Sequence, residues 1–218
     1  TGIVRSAFGL QGQKCSACSR IIVEESIHDE LVSRIKELTE NLVIGDPTAQ
    51  ETYLGPVMNK SAYRDFKNIT EEISEAGANF LTGGHVKTGG DFAKGYFCEP
   101  TLVTDLPLTH RLWQHEMFLP ISTIVKVGNL EEAMNIANNV DYGLTAGFYG
   151  SDEEAKWFFD KIEAGVVYAN RPQGATTGAW PGFQPFGGWK GSGSSGKNAG
   201  GHYYVQLYMH EQTQTQIR

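Results

Sequence analysis

Between residues 121 and 169 the chain alternates short β-branched runs with amphipathic helical stretches, and this alternation limits the folds open to it. Ile121–Val127 reads as a buried strand, and Asn129 caps a helix over 130–139. Residues 145–149 form the next strand. Ser151-Asp152-Glu153-Glu154 has the form of a capping box opening a helix through Ile162, which Gly165 closes before a strand at Val166–Ala169. Strand–helix–strand order of this kind calls for an α/β fold: a mostly parallel open sheet with helices on its faces.

The first half fits the same scheme. Residues 21–24 read as a strand, followed by a helix with Leu31, Ile35, Leu38 and Leu42 on one face, stopped by Gly45-Asp46-Pro47. Ser61 is positioned to cap a second helix whose Tyr63, Phe66, Ile69 and Ile73 share a stripe and which ends at Gly77. Asn79–Thr82 is expected to be a strand, and 83–90 an exposed turn. From 170 to 201 glycine, proline and serine replace aliphatic residues, a length of irregular chain that is usually functional or disordered. Residues 203–209 then alternate Tyr203, Val205, Leu207 and Met209 with more polar neighbours, the pattern of a half-buried strand.

Composition narrows the function. With 218 residues, 40% hydrophobic and 20% charged, the chain has enough material for one proper core. A net charge of −7 offers no general attraction to nucleic acid or anionic membrane, and no apolar run reaches about 18 residues. Three cysteines, an odd number, argue against a disulfide framework and for a reducing compartment, the cytoplasm by default.

Cys15 is the candidate nucleophile. It follows the glycine-interrupted run Phe8-Gly9-Leu10-Gln11-Gly12-Gln13-Lys14 and precedes an apolar strand. Such a place can expose backbone N–H groups to a thiolate and, later, to an oxyanion. Competing motifs fail on their own terms. Cys15-Ser16-Ala17-Cys18 has no second ligand pair for zinc, and His115-Glu116 is followed by Leu119 where a zinc-protease helix needs histidine. No metal site is expected. Gly191-Ser192-Gly193-Ser194-Ser195-Gly196 matches a dinucleotide fingerprint in letters only, since it sits in a segment poor in aliphatic residues and leads toward a strand rather than opening a helix.

Gly12-Gln13-Lys14-Cys15-Ser16-Ala17-Cys18-Ser19-Arg20 resembles the catalytic-cysteine segment of the aldehyde dehydrogenases, in particular those acting on Δ1-pyrroline-5-carboxylate (glutamate semialdehyde). Leu54-Gly55-Pro56-Val57, Gly95-Tyr96-Phe97-Cys98-Glu99-Pro100-Thr101, His115-Glu116-Met117-Phe118-Leu119-Pro120, Tyr142-Gly143-Leu144-Thr145-Ala146-Gly147 and Gln184-Pro185-Phe186-Gly187-Gly188-Trp189-Lys190-Gly191 agree in the same order. The resemblance implies that Cys15 adds to an aldehyde, that hydride passes to NAD or NADP, and that the thioester is hydrolysed to an acid.

It implies further that Glu116 hydrogen-bonds the ribose beside the nicotinamide and that Phe118 packs near that ring, although Leu119 stands where the family usually has glycine. Gly178 and Ala179 would bind the substrate carboxylate through their N–H groups, with Ser16 adding a hydroxyl and Phe186 walling the aliphatic stem. Residues 1–190 would then form the catalytic domain, and 191–218 a glycine-rich linker with a C-terminal strand that joins subunits of a homo-oligomer. The family's nucleotide-binding domain, with its catalytic glutamate and oxyanion-hole asparagine, lies ahead of the cysteine segment. The chain begins fourteen residues before Cys15, so that domain is expected from a longer chain or a partner, and the chain alone is expected to be inactive.

Overall fold

The computed structural model describes residues 1–172 and 184–218. Its central sheet has four strands in the order β1 (Arg20–Glu24), β6 (Ile121–Val127), β5 (Thr101–Thr104), β2 (Asn79–Thr82). β1 runs parallel to β6 with Arg20 opposite Thr123, and β5 runs parallel to β6 with Thr101 opposite Ile121. β2 closes the edge antiparallel to β5. Between β2 and β5 lies a small antiparallel ribbon of β3 (Val86–Lys87) and β4 (Phe97–Cys98), so the stretch expected to be only an exposed turn contains a strand.

Strand alternation divides the core in two. Val103 and Ile121 point to one face, where they meet Phe66, Ile69 and Ile73 from α3 (Lys60–Glu75). Leu102 and Ile124 point to the other, with Val4 and Phe8 from α1 (Gly2–Phe8) and Ile35 from α2 (Glu25–Glu40). A second unit follows: β8 (Thr145–Phe148) and β9 (Val166–Ala169) pair in parallel. Met134 of α4 (Leu130–Asn138) and Phe158 of α5 (Asp152–Lys161) share a third apolar cluster with Phe148 and Val167. Arg20 joins the units, donating 3.1 Å hydrogen bonds to the carbonyls of Ile136 and Ala137 at the C-terminal end of α4.

The caps follow local chemistry. Asn129 accepts from the Glu132 N–H at 2.9 Å, and Ser151 and Glu154 complete the expected capping box. At α3 the cap is Asn59, which accepts from the Ala62 N–H at 2.9 Å, rather than Ser61. The helix starts one residue before Ser61, so that side chain lies on the first turn and pairs instead with Arg64 and Asp65.

The sharpest departure from expectation is C-terminal. Residues 203–209 form no strand: Val205–Tyr208 is a short 3₁₀ turn, and Tyr203, Val205, Leu207 and Met209 are exposed. Within the single chain no strand of the described residues pairs with this segment, so its backbone bonds locally, Leu207 N–H to the Tyr204 carbonyl at 3.2 Å. β10 (Trp189–Lys190) pairs antiparallel with β7 (Tyr142–Gly143), and Lys190 donates to the Asn138 carbonyl at 2.5 Å and pairs with Glu163. Among the described residues no helix is long and apolar enough to cross a membrane.

The two candidate caps separate in an equilibrium urea titration. Asn59→Ala is expected to lower stability by about 1 kcal/mol, and Ser61→Ala by less than ~0.5 kcal/mol. Equal losses would contradict the observed start of α3.

Candidate active site

The chain leaves α1 through a stretch of left-handed backbone. Leu10, Gln11 and Gly12 have φ values of +53°, +57° and +67°. Only the last is a glycine, so two ordinary residues are held in a conformation that costs each of order 1 kcal/mol. Two contacts hold them there. The Gln13 Oε1 accepts from the Met58 N–H at 2.9 Å, and the Gly12 Cα lies so near the Leu119 carbonyl that any Cβ would collide with its oxygen. Gly12 thus serves twice, by its φ and by its missing side chain.

The path then turns. The Ala17 N–H bonds the Lys14 carbonyl at 3.1 Å, which puts Cys15 and Ser16 at the corner of a Lys14–Ala17 turn. Beyond it, the Cys18 N–H bonds the Ser6 carbonyl at 3.1 Å, and the Ser122 Oγ donates to the Cys18 carbonyl at 2.6 Å. The turn is therefore anchored on one side to α1 and on the other to the first residues of β6. Cys15 is exposed on this turn, and neither its N–H nor that of Ser16 is spent on a hydrogen bond to another described residue. Ser16 is only 4% exposed, yet its hydroxyl has no partner among the described residues. A buried hydroxyl left unpaired costs about 1–3 kcal/mol, so the Ser16 hydroxyl is a group that a ligand or a water could satisfy.

The three thiols differ in environment. Cys98 sits in the core and burial pushes its thiol up to about 12. Cys18 packs against the apolar cluster behind the sheet, donates to the Arg20 carbonyl at 3.5 Å, and is raised to about 11, chiefly by burial. The Lys14 ammonium, half-buried, is lowered by burial, and its interaction with Cys15 acts in the opposite direction.

A cavity of about 750 Å³ opens beside the turn, lined by Cys15, Ser16, Glu116, Phe118 and Tyr149 among others. Its volume falls in the range of small-molecule sites. Glu116 is exposed and makes no hydrogen bond or ion pair among the described residues. Phe118 has φ +56° and keeps 37% of its surface exposed. An aromatic residue held in left-handed backbone and left open to a cavity fits a ligand-facing role better than a packing one. Leu119, by contrast, is 3% exposed and belongs to the same core cluster as Phe66 and Met117, and its carbonyl is the one that Gly12 accommodates.

By sequence, residues 1–214 match the Aldehyde dehydrogenase family over nearly the whole length. The chain belongs to that family. It is 40% identical over 219 residues to a 1-pyrroline-5-carboxylate dehydrogenase of Geobacillus sp. (strain WCH70), covering 99% of this chain and 40% of the relative. It is 41% identical over 207 residues to the Staphylococcus aureus (strain JH1) protein of that name, covering 94% and 38% respectively.

Among solved structures, a 1-pyrroline-5-carboxylate dehydrogenase from Thermus with bound NAD superposes with a TM-score of 0.86 at 36% identity, over 95% of this chain and 38% of that one. An NAD+ complex of an aldehyde dehydrogenase from Bacillus cereus gives 0.85 at 29% identity, over 95% and 40%. The chain spans about 40% of the length of the curated relatives it matches.

Four of the expected site residues of this aldehyde dehydrogenase chain, Cys15, Ser16, Glu116 and Phe118, therefore line one cavity. Phe186 does not reach its wall. It is half-buried and its N–H bonds the Ala199 carbonyl at 2.8 Å in a bridge of the 184–201 segment. Gly178 and Ala179 lie outside the described residues. The sequence pattern does not expose Ser6, a second buried hydroxyl without a partner among the described residues that borders the same cavity; it lies beside Arg5 between the apolar pairs Ile3-Val4 and Ala7-Phe8.

Iodoacetamide at about pH 8 is expected to alkylate Cys15 in the folded chain and to reach Cys18 and Cys98 only after unfolding, as read by peptide mass spectrometry. Gly12→Ala is expected to destabilise the fold by about 2 kcal/mol and to slow Cys15 alkylation. An alkylation rate equal to that of the parent chain would show that the Gly12–Leu119 approach does not shape the turn.

Proposed function

We propose that this chain is the thiol-bearing catalytic domain of an NAD(P)-dependent aldehyde dehydrogenase that oxidises glutamate 5-semialdehyde, derived from 1-pyrroline-5-carboxylate, to glutamate. The observation that carries the reading is the exposed Cys15 at the corner of an anchored turn, facing the cavity that also holds Ser16, Glu116 and Phe118. The names of the relatives support the substrate class.

In this reading the Cys15 thiolate adds to the aldehyde carbon, and the N–H groups of Cys15 and Ser16 face the oxygen on which negative charge develops. The unpaired Ser16 hydroxyl donates to the carboxylate at the far end of the semialdehyde, where Gly178 and Ala179 would add N–H donors; Phe186, which lies off the cavity wall, takes no part in this reading. The open Glu116 carboxylate and the exposed Phe118 ring suit a ribose hydroxyl and a planar ring, and these two residues would hold the nicotinamide end of NAD or NADP. When bound, that group supplies a hydride acceptor. The remaining carboxylate and amide of the reaction come from the nucleotide-binding part of the protein.

Residues 1–190 are assigned to the catalytic domain and 191–218 to the linker and oligomerisation segment. The exposed Tyr203, Val205, Leu207 and Met209 alternate as a strand would, which favours pairing with a sheet of another subunit in a homo-oligomer. Three free cysteines agree with a reducing, cytoplasmic setting.

Supplied with the nucleotide-binding domain, the chain is expected to produce NADH from glutamate semialdehyde, with a loss of at least ~10³-fold on Cys15→Ala. The chain on its own is expected to reduce no nicotinamide. Ser16→Ala should remove most of the preference for the semialdehyde over an uncharged aldehyde of similar length while leaving the fold intact. Turnover that survives Cys15→Ala would reject the reading.

A further inference from the structure

The aliphatic stem of a semialdehyde needs an apolar surface between its two polar ends, and Phe186, expected to supply one, lies off the cavity wall. Tyr149 lies on that wall. It directly follows β8 and keeps 44% of its surface exposed. An aromatic side chain open to a cavity becomes a contact surface for a ligand when its own position is fixed, because packing against it then costs little entropy.

Tyr149 is fixed from three sides. Its hydroxyl donates to the Arg171 carbonyl at 2.9 Å. The next residue, Gly150, is gripped by the Asn170 side chain: Oδ1 accepts from the Gly150 N–H at 3.0 Å, and Nδ2 donates to the Gly150 carbonyl at 2.8 Å. The preceding residue, Phe148, accepts at its carbonyl from the Asn170 N–H at 2.8 Å. Asn170 makes these bonds from left-handed backbone, φ +52°, which persists only where the surroundings impose it. Gly150 leaves no room for a Cβ, which would meet the Phe148 ring at 2.7 Å. The phenol is thus already satisfied by Arg171, and what Tyr149 offers the cavity is its ring. The chain that leaves β9 through Asn170 and Arg171 runs on to Gly178 and Ala179, the residues assigned above to the substrate carboxylate.

We propose that Tyr149 is a specificity-determining residue of this site, its ring held by the Arg171 carbonyl and the Asn170–Gly150 clamp so that it packs against the aliphatic stem of a ligand joined at Cys15. The proposal deepens the dehydrogenase reading and rests on Cys15 as the attacking thiol. Its test needs no turnover, so the apolar wall and the enzyme activity fail separately.

N-methylmaleimide and N-butylmaleimide add to a thiol by the same reaction and differ by three methylene groups. The ratio of their rates at Cys15, read by peptide mass spectrometry, reports the apolar surface beside the sulfur; opening or closing of the turn changes both rates together. In the parent chain the butyl reagent is expected to react about 5–20-fold faster than the methyl one, relative to a free cysteine peptide. Tyr149→Ala is expected to bring this preference down to about twofold or less, and Tyr149→Phe to keep at least half of it. Asn170→Gly, which tolerates the left-handed backbone but lacks the amide, should lose at least half. A parent preference no greater than that of the peptide, or one unchanged in folded Tyr149→Ala, overturns the proposal. Should Tyr149→Ala fail to fold by circular dichroism, Asn170→Gly decides, and an unchanged preference there overturns it.

Discussion

The approach of Gly12 to the Leu119 carbonyl is the contact from which the rest of the site takes its shape. One partner lies in the loop leading to the nucleophile, the other in the loop that carries Glu116 and Phe118. These loops are a hundred residues apart in sequence and become the two lips of one cavity because a Cα can touch a carbonyl where a Cβ could not. The cost is spread over neighbours: Leu10, Gln11 and Phe118 all sit at positive φ. Strain of this kind persists only where surrounding structure over-determines it. Here the surroundings are the Gln13–Met58 bond on one side and, on the other, Leu119 buried in the core with Phe66.

Rigid elements set the rest of the geometry. The parallel pairing of β1 with β6 continues backward past the strand ends, through Thr123 N–H to the Ser19 carbonyl at 2.9 Å and the Ser122 hydroxyl to the Cys18 carbonyl. Cys15 therefore hangs from the central sheet by a tether of three residues. The result is a thiol open to solvent beside two others whose burial raises them to about 11 and about 12. Selectivity among the cysteines arises from burial, and the orientation of the reactive one from backbone hydrogen bonds. The Ser16 hydroxyl, buried with no partner among the described residues, is left able to bond a ligand at this corner.

Much of the architecture was legible in the chain. The β-branched run Ile121–Val127, the caps Asn129 and Ser151 with Glu154, and the apolar stripe through Phe66 and Ile73 each carry a local signal, and each element lies where that signal puts it. Thr101–Thr104 was not legible, because four residues with no alternation look alike in a loop and in the middle of a sheet, though Thr101 is wholly buried there. The cap of α3 was misplaced because Asn59 and Ser61 both suit a helix start, and the stripe behind them is compatible with either. In the site, residue type and setting pointed to Cys15 and the family resemblance to Ser16, but no residue type announces a leucine, a glutamine or a phenylalanine in left-handed backbone.

Periodicity, capping and the order of strands and helices are properties of neighbouring residues, so the α/β class and the candidate thiol follow from the chain read in order. Which loops meet is a property of the packed sheet. The Gly12–Leu119 contact and the cavity shared by Cys15 and Phe118 depend on separations that no local pattern encodes. The alternating residues 203–209 make the same point from the other side. Their pattern is that of a strand, but backbone pairing needs a second edge, and with none offered among the described residues Val205–Tyr208 is a 3₁₀ turn.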